Sequence, residues 1–396
     1  MIHRLAIERA RILAQGFPVV VVTGPRQSGK TTLARAAFPD FECISLEDPD
    51  VRWQVASDPR GFLARHANGV VIDEVQRLPE LLSYLQTAAD ASAKMGRFIL
   101  TGSQNLTLSA AITQSLAGRA GLLELLPLSW AEIAQHSKAL LPSGLNEWLL
   151  KGGYPALYDR PVAARDWMSS YVGTYIERDV RQVSRINDLL AFQRFMRMMA
   201  ARVGQLLNLN AVAQDLGVAQ TTARDWLDVL EATYVVWRLP PYHTNFGKRL
   251  VKTPKLYFHD TGLACWLQGI TSTVQLDSHP MRGALFENML VIEYRKYCRH
   301  LGLAREMYFW RDHIGNEVDL LIEQAGELWP VEMKSGATFQ PEWRRGLETW
   351  IRHAALARRG QPMLISSAQT AGMHQGVMLA CWPDALQELG RAPSPA

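Results

Sequence analysis

A glycine-rich run that ends in a lysine and a hydroxyl residue occupies residues 24–31 and reads Gly24-Pro25-Arg26-Gln27-Ser28-Gly29-Lys30-Thr31. It is a full G-x-x-x-x-G-K-[ST] pattern, and Thr32 follows it directly. Glycines let such a loop wrap a phosphate closely, and successive backbone N–H groups form a nest for anions. The lysine of this pattern reaches the β- and γ-phosphates of ATP, and the hydroxyl binds Mg²⁺. We therefore expect ATP and Mg²⁺ at residues 24–32.

A second motif, which ends in two acidic residues, follows the glycine-rich run by roughly 40 residues. This spacing suits a neighbouring strand of the same sheet. Residues 70–72 are Val-Val-Ile, and Asp73 and Glu74 follow them. Asp73 is placed to hold the Mg²⁺ shell, and Glu74 to orient and deprotonate the attacking water. Apolar residues followed by Asp-Glu are common by themselves, so this interpretation depends on the preceding run.

Two further residues are candidates for the hydrolysis step. Ser103, in Thr101-Gly102-Ser103-Gln104, follows an apolar run and is placed to contact the γ-phosphate or the lytic water. A turn in which Ser and Gly serve only the backbone is the alternative. Arg119 is a candidate arginine finger that would neutralise charge in the transition state. An ordinary surface arginine is its alternative.

The elements that must position these residues alternate between strand and helix. Continuous apolar runs predict buried strands at 17–23, 41–46, 69–72 and 97–101. A helical pattern covers Glu80–Met95 between two of them. Strands that alternate with helices indicate an α/β, doubly wound domain.

These motifs together resemble a prokaryotic AAA-type P-loop ATPase family whose members carry a C-terminal domain of unknown function. The resemblance rests on residues 24–32, the segment 72–80, Leu100–Ser103 and Leu116–Arg119, and it covers nearly the whole chain. It implies that Arg119 acts across a subunit interface. It also implies a homo-oligomer, with a ring such as a hexamer as one form.

The middle of the chain holds the whole surplus of positive charge, since residues 151–260 carry 15 basic and 10 acidic residues. Residues 145–202 are predicted to be helical. Residues 211–232 resemble a helix-turn-helix with a β-wing at Tyr234–Leu239, but the second helix carries Asp225, Asp228 and Glu231 beside Arg224. This acidic face suits a DNA groove poorly. The candidate phosphate contacts on other segments are Lys248, Arg249, Lys252, Lys255, Arg178, Arg181, Arg185, Arg194 and Arg197, and a salt-bridged helical surface is the alternative.

The C-terminal region has a second set of chemically competent residues. Asp319 and Glu332 fall on adjacent predicted strands (318–323 and 329–334), and Lys334 shares a strand face with Glu332 because side chains alternate with a period of two. Glu287 lies on a predicted helix, Gly283–His300, and completes the set. The arrangement resembles the restriction-endonuclease-like nuclease core, which implies a divalent metal at these oxygens. A core kept only for DNA binding or assembly is the alternative.

The predicted fold class is therefore α/β, with a helical and winged-helix-like middle between two α/β domains. A P-loop AAA-type ATPase domain covers residues 1–135, a helical segment 136–205, a winged-helix-like segment 206–260 and a restriction-endonuclease-like α/β domain 261–390, with a disordered tail at 391–396. The four cysteines lie far apart and no apolar run is long enough to span a bilayer. We expect a cytoplasmic protein without a membrane partner.

An ATP-hydrolysing oligomeric motor that acts on duplex or branched DNA, in repair or recombination, is the leading hypothesis. An ATP-regulated, metal-dependent DNA nuclease is one alternative. A nucleotide-switched regulator or scaffold that binds protein partners is another.

Overall fold

A computed structural model of the chain describes residues 2–92, 94–103, 115–175, 186, 188–242, 253–353, 359–369 and 371–385. Several sequence predictions fall outside these residues and concern Gln104, Arg178, Arg181, Arg185, Lys248, Arg249, Lys252 and the tail 391–396.

The amino-terminal part is built on a parallel sheet of five strands, in the order β2-β3-β4-β1-β5. The strands are β1 (Val19–Thr23), β2 (Glu42–Ser45), β3 (Val70–Asp73), β4 (Phe98–Gly102) and β5 (Ala120–Glu124). The sequence predicted the first four, and β5 was not predicted. Since the strands are parallel, the residues that follow β1, β3 and β4 meet at one edge of the sheet.

Helices cover both faces of this sheet, which explains why its central strands are apolar on both sides. Val20 and Val22 pack with α1 (Ala6–Gly16) and α2 (Lys30–Ala37) on one face. Val19 and Val21 pack on the other face with α3 (Pro49–Ser57), α4 (Pro59–Arg65) and α5 (Leu81–Asp90). The predicted α/β architecture is confirmed, although α5 ends before the predicted Met95.

The described residues of the middle of the chain are largely helical, as predicted. Its helices are α6 (Trp130–His136), α7 (Leu145–Lys151), α8 (Ala156–Asp159), α9 (Ala164–Tyr175), α10 (Leu189–Ala200), α11 (Leu209–Leu216) and α12 (Gln220–Ala232). Asn208 caps α11 through the backbone N–H of Ala211, and Gly217 ends it with a φ of 69°, which favours glycine. The strands β6 (Val236–Leu239) and β7 (Lys255–Phe258) then pair antiparallel.

The C-terminal part has a mixed sheet of six strands, in the order β12-β13-β11-β10-β9-β8. The strands are β8 (Glu306–Arg311), β9 (Glu317–Gln324), β10 (Glu327–Lys334), β11 (Met363–Ser366), β12 (Gly372–His374) and β13 (Val377–Cys381). Its helices are α13 (Thr261–Leu267), α14 (Thr273–Ser278), α15 (Arg282–Leu301) and α16 (Arg345–His353). Strands β12 and β13 were not predicted, and a 3₁₀ turn, Pro341–Arg344, directly precedes α16.

The helix α15 joins the middle and C-terminal parts in one hydrophobic core. Its Phe286 and Leu290 share that core with Trp226 of α12, Phe258 of β7 and Leu320 of β9. Among the helices of the described residues, none has the length and apolar character that a bilayer crossing requires.

Candidate ATP-hydrolysis site and a C-terminal carboxylate cluster

The loop between β1 and α2 has a backbone path that requires glycine at two points. A Cβ on Gly24 would lie 2.1 Å from the carbonyl oxygen of Leu125, and the φ of Gly24 is 149°. Gly29 has a φ of 93° and precedes the first turn of α2. The loop is therefore held against the neighbouring strand connection, with the helix N-terminus directly behind it. A helix N-terminus in this position favours bound phosphate.

Polar groups of the loop are poised for an anion. Lys30 is buried, and its Nζ donates to the carbonyl oxygens of Gly24 at 3.1 Å and Pro25 at 2.8 Å. The Ser28 hydroxyl is buried and has no hydrogen-bond partner among the described residues. Because buried polar groups are normally satisfied, these groups fit a triphosphate.

Asp73 collects three hydroxyl groups at the carboxyl edge of the sheet. Thr31 donates to its Oδ1 at 2.6 Å, Thr101 to the same oxygen at 2.5 Å, and Ser45 to its Oδ2 at 3.4 Å. The Thr31 hydroxyl and the Asp73 carboxylate are hard oxygen ligands beside the loop, so the residues fit Mg²⁺. The sequence analysis did not single out Thr101 and Ser45, although each lies at the end of a strand beside β1 or β3.

Glu74 is held by a small polar group rather than by a cation. Its φ is 56°, and its Oε2 accepts from Gln76 Nε2 at 2.5 Å and from the Ser103 hydroxyl at 3.3 Å. Gln76 Nε2 also lies 3.2 Å from Ser103 Oγ. Burial raises the pKa of Glu74, while the charge of Lys30 opposes the rise. The structure thus brings Glu74 and Ser103 together, and it adds Gln76, which the sequence analysis did not assign.

Arg119 lies at the opposite edge of the sheet from the loop. It directly precedes β5, and the pairing of Val19 with Ala120 and of Thr23 with Glu124 puts it at the amino end of β1. That is roughly 15 Å from the loop at the rise of a strand. Arg119 makes a bidentate ion pair with Asp90, with an Nε–Oδ1 distance of 2.5 Å and an Nη2–Oδ2 distance of 2.9 Å. The geometry separates Arg119 from the ATP site of its own chain.

A buried arginine ties the loop to the start of the helical segment. Arg4 donates to the carbonyl oxygens of Ser28 and Leu126 at 2.6 Å each, and to Glu132 Oε1 at 2.9 Å. Glu132 also forms the capping box of α6 with Ser129. Burial alone would raise the pKa of Glu132, but Arg4 and His300 lower it to about 2.

The carboxyl-terminal half of α15 lies against the same region. The backbone N–H of Leu126 donates to His300 Nε2 at 3.1 Å, and burial lowers the pKa of His300 to about 3. Arg295 bonds Glu124 at 2.8 Å. Tyr234, which precedes β6, donates to the Thr23 hydroxyl at 2.9 Å. The ATP-site loop therefore connects to both later parts of the chain through buried polar contacts.

The other half of α15 contributes Glu287 to a cluster of three carboxylates. Glu287, Glu317 and Asp319 offer oxygens that all lie within 4.8 Å of one another. Lys255 of β7 fills this cluster: its Nζ lies 2.7 Å from Glu287 Oε1 and 3.9 Å from Asp319 Oδ1, and it contacts Glu317 Oε1. Burial would lower the pKa of Lys255, but the carboxylates raise it well above its usual value. Burial also raises the pKa of Glu287 to about 7.

Glu332 and Lys334 pair with each other beside this cluster, at 2.5 Å between Lys334 Nζ and Glu332 Oε1. Burial and the charge of Asp319 raise the pKa of Glu332. The structure therefore places the four predicted residues, Glu287, Asp319, Glu332 and Lys334, around one site, and adds Glu317. The period of two in Glu317-Val318-Asp319 was the available signal for Glu317.

Among the described residues, the basic side chains of the middle segment differ in whether an ion pair holds them. The prediction that Lys255 contacts DNA phosphate is wrong, because its side chain is 2% exposed and bound by carboxylates. Arg194 and Arg197 are exposed on α10, and no ion pair holds either of them among the described residues. The acidic face of α12 is partly neutralised, because Arg238 pairs with Asp228 and Glu231.

Three family models match the chain. Residues 16–134 match an AAA domain, residues 143–274 a domain of unknown function (DUF8612), and residues 282–378 another domain of unknown function (DUF4143). Uncharacterised proteins of Mycobacterium tuberculosis and Mycobacterium bovis are each 33% identical to the chain over 361 residues, which cover 90% of this chain and 78% of theirs.

Two solved structures show weaker likeness. The Walker-type ATPase of Pyrococcus abyssi is 16% identical at a TM-score of 0.47, covering 66% of this chain and 94% of its own. A signal transduction ATPase with a tetratricopeptide repeat sensor from Pyrococcus horikoshii is 14% identical at a TM-score of 0.27, covering 74% and 49%.

Proposed function

The chain belongs to the AAA-type P-loop ATPase family together with its mycobacterial relatives, and we propose that this ATPase is an oligomeric motor that acts on duplex or branched DNA, in repair or recombination. Three features support the proposal: the hydrolysis site, the buried contacts between its loop and the later parts of the chain, and an exposed pair of arginines.

In hydrolysis, the loop residues 24–32 bind the triphosphate through backbone N–H groups. Lys30 exchanges its bonds to the carbonyl oxygens of Gly24 and Pro25 for the phosphate oxygens. Glu74, held by Gln76 and Ser103, orients the attacking water and takes its proton. Mg²⁺, held by Thr31 and Asp73, supplies neutralisation of phosphate charge when it is bound.

Contacts of the loop provide a route from the nucleotide to the rest of the chain. Arg4 holds the Ser28 carbonyl and the Glu132 carboxylate at once, and His300 of α15 accepts from Leu126. A loop that shifts with ATP or ADP would change contacts to α15. This route supports a motor, and it would equally serve a nucleotide-switched regulator that binds protein partners.

The single observation that carries the DNA part of the proposal is the pair Arg194 and Arg197. They lie one turn apart on α10 and are exposed, so both guanidinium groups are accessible to phosphates on one helix face. Exposed arginines that no ion pair holds among the described residues can contact DNA phosphates, and such contacts release counterions. Arg238 pairs with Asp228 and Glu231 of α12. This pairing reduces the negative charge that made α12 poorly suited to a DNA groove.

Binding of short duplex, single-stranded and four-way junction DNA at several salt concentrations tests this proposal. Reversing both charges, in Arg194→Glu with Arg197→Glu, should weaken DNA binding at least about tenfold. The slope of the logarithm of the binding constant against the logarithm of the salt concentration should also decrease, by the amount expected for about two lost phosphate contacts. Arg60→Glu with Arg65→Glu, on exposed positions of α4, makes the same change in net charge and serves as the control. Equal binding by both double variants would contradict the assignment, and a wild-type protein that binds no DNA would favour the protein-binding regulator.

A further inference from the structure

The carboxylate cluster has cations of its own. Glu287, Glu317, Asp319 and Glu332 face Lys255, Lys334 and Arg311, and the Arg311–Glu317 distance is 2.9 Å. Like charges this close cannot all remain ionised without compensation. Three cations offset most of the charge of four carboxylates before any ion from solution is added.

Lys255 stands where a divalent cation would have to stand. A metal ion bound by Glu287, Glu317 and Asp319 would lie within about 2.6 Å of one oxygen from each. The Lys255 ammonium already contacts or approaches the same three groups, and its side chain is 2% exposed. As folded, Glu287, Glu317 and Asp319 therefore do not fit a divalent metal ion.

The rest of β7 is fastened to the same helix. Tyr257 donates to Glu287 Oε1 at 2.5 Å. Asn288, the next residue of α15, accepts from the Phe258 N–H at 2.6 Å and donates to the Phe258 carbonyl oxygen at 2.9 Å. Alternate side chains of the strand, and its backbone, thus meet consecutive residues of α15.

We propose that the carboxylate cluster is a joint between the middle segment and the C-terminal sheet, with Lys255 as its built-in cation and with a latent divalent-cation site beneath it. The cluster accordingly binds no metal in the native chain, and these three carboxylates support no metal-assisted hydrolysis while Lys255 is in place. Removing the Lys255 side chain uncovers three converging carboxylates, which are suitable ligands for Mn²⁺ or Mg²⁺. This inference does not depend on whether the ATPase acts on DNA.

Mn²⁺ binding to the full chain without nucleotide, measured by electron paramagnetic resonance, tests the inference. Asp73→Asn in every sample removes the carboxylate beside the ATP-site loop. In this background the chain with native Lys255 should bind no Mn²⁺ at the cluster. Lys255→Ala should gain about one Mn²⁺ per chain, and adding Asp319→Asn should abolish that gain.

Two outcomes of the Mn²⁺ measurement would contradict the role of Lys255 as the built-in cation. If the chain with native Lys255 binds Mn²⁺ and loses it on Asp319→Asn, the inference is overturned, as it is if a folded Lys255→Ala chain gains none. If Lys255→Ala does not fold, Glu287→Gln is added to relieve the uncompensated charge. Recovery of folding in that double variant supports the joint, and a double variant that folds no better than Lys255→Ala overturns it.

Discussion

At the residue scale, the hydrolysis site depends on how Glu74 is held. Its left-handed backbone, with a φ of 56°, turns the chain directly after β3. Gln76 then reaches back to the Glu74 carboxylate and to Ser103. We regard Gln76 as a positioning residue, because its contacts are to Glu74 and Ser103, the residues proposed to act on the water and the γ-phosphate.

Replacing Gln76 with leucine should lower kcat by about ten- to a hundredfold while KM for ATP changes little, because positioning of the base matters in the chemical step. The acid side of the kcat–pH profile should also move to higher pH. Burial raises the pKa of Glu74 and the Gln76 hydrogen bond lowers it, so loss of that bond leaves the base protonated over a wider range. Steady-state kinetics across pH measures both effects.

Gln54→Leu, at an exposed position of α3, is the matched control and should leave both quantities unchanged. A Gln76→Leu enzyme with native kcat and an unshifted acid limb would show that Glu74 does not need this partner.

The sequence could supply some of these residues and not others. Gly24, Lys30 and Thr31 lie within one short stretch of sequence, so a loop of this kind can be predicted from the sequence alone. Gln76 is near Glu74 in sequence, yet only the fold shows that its amide joins β3 to β4. Lys255 was misassigned because a lysine in a basic stretch resembles a surface residue until its three distant carboxylate partners are known.

At the element scale, α15 is the helix that links the two polar regions. Glu287 is near its start and His300 near its end, a separation of about 20 Å at the helical rise. One helix therefore contacts both the region of the ATP-site loop and the carboxylate cluster.

The buried His300 should make stability depend on pH. Its pKa is about 3 in the folded chain and about 6.5 when unfolded, so the unfolded chain binds the extra proton between these values. Stability is therefore lost as pH falls below about 6.5. Between pH 7.5 and 5.5 wild type should lose about 1.4 kcal/mol more unfolding free energy than His300→Gln, as measured by denaturant unfolding.

His3→Gln, which removes an exposed histidine, should retain the pH dependence of wild type. If His300→Gln loses as much stability as wild type over this interval, His300 is not the buried neutral group that the fold requires.

Strands were predicted correctly where the sequence has a continuous run of apolar residues. They were missed where the apolar run is short or interrupted. Strand β1 is a continuous apolar run buried on both faces. Strand β5 contains Gly121 and exposes Leu122, so it has neither a continuous apolar run nor a strong β-branched content. Strand β12 has three residues and is mostly exposed, and only its pairing with β13 defines it.

At the scale of the whole molecule, the position of Arg119 makes its proposed finger role depend on assembly. It lies at the sheet edge away from its own ATP site, so any role in hydrolysis requires a second copy of the chain. The exposed ion pair with Asp90 would then be exchanged for the γ-phosphate of a neighbour.

Mixing two inactive variants tests this exchange. Lys30→Ala chains should not bind ATP productively, and Arg119→Ala chains should lack the finger. In mixed oligomers the Arg119 of a Lys30→Ala subunit can serve the intact site of an Arg119→Ala neighbour, so ATPase activity should reappear. A mixture of Arg119→Ala with the Lys30→Ala, Arg119→Ala double variant should stay inactive. Full activity of Arg119→Ala alone would contradict the finger.

The most direct test of the central claim is ATP hydrolysis with and without short duplex, single-stranded and four-way junction DNA. We predict that one of these structures stimulates the wild-type rate at least about tenfold, and that Glu74→Gln still binds ATP but loses at least about a hundredfold in rate. A wild-type rate that is indifferent to every DNA would contradict a DNA motor and leave an ATPase that acts on another partner.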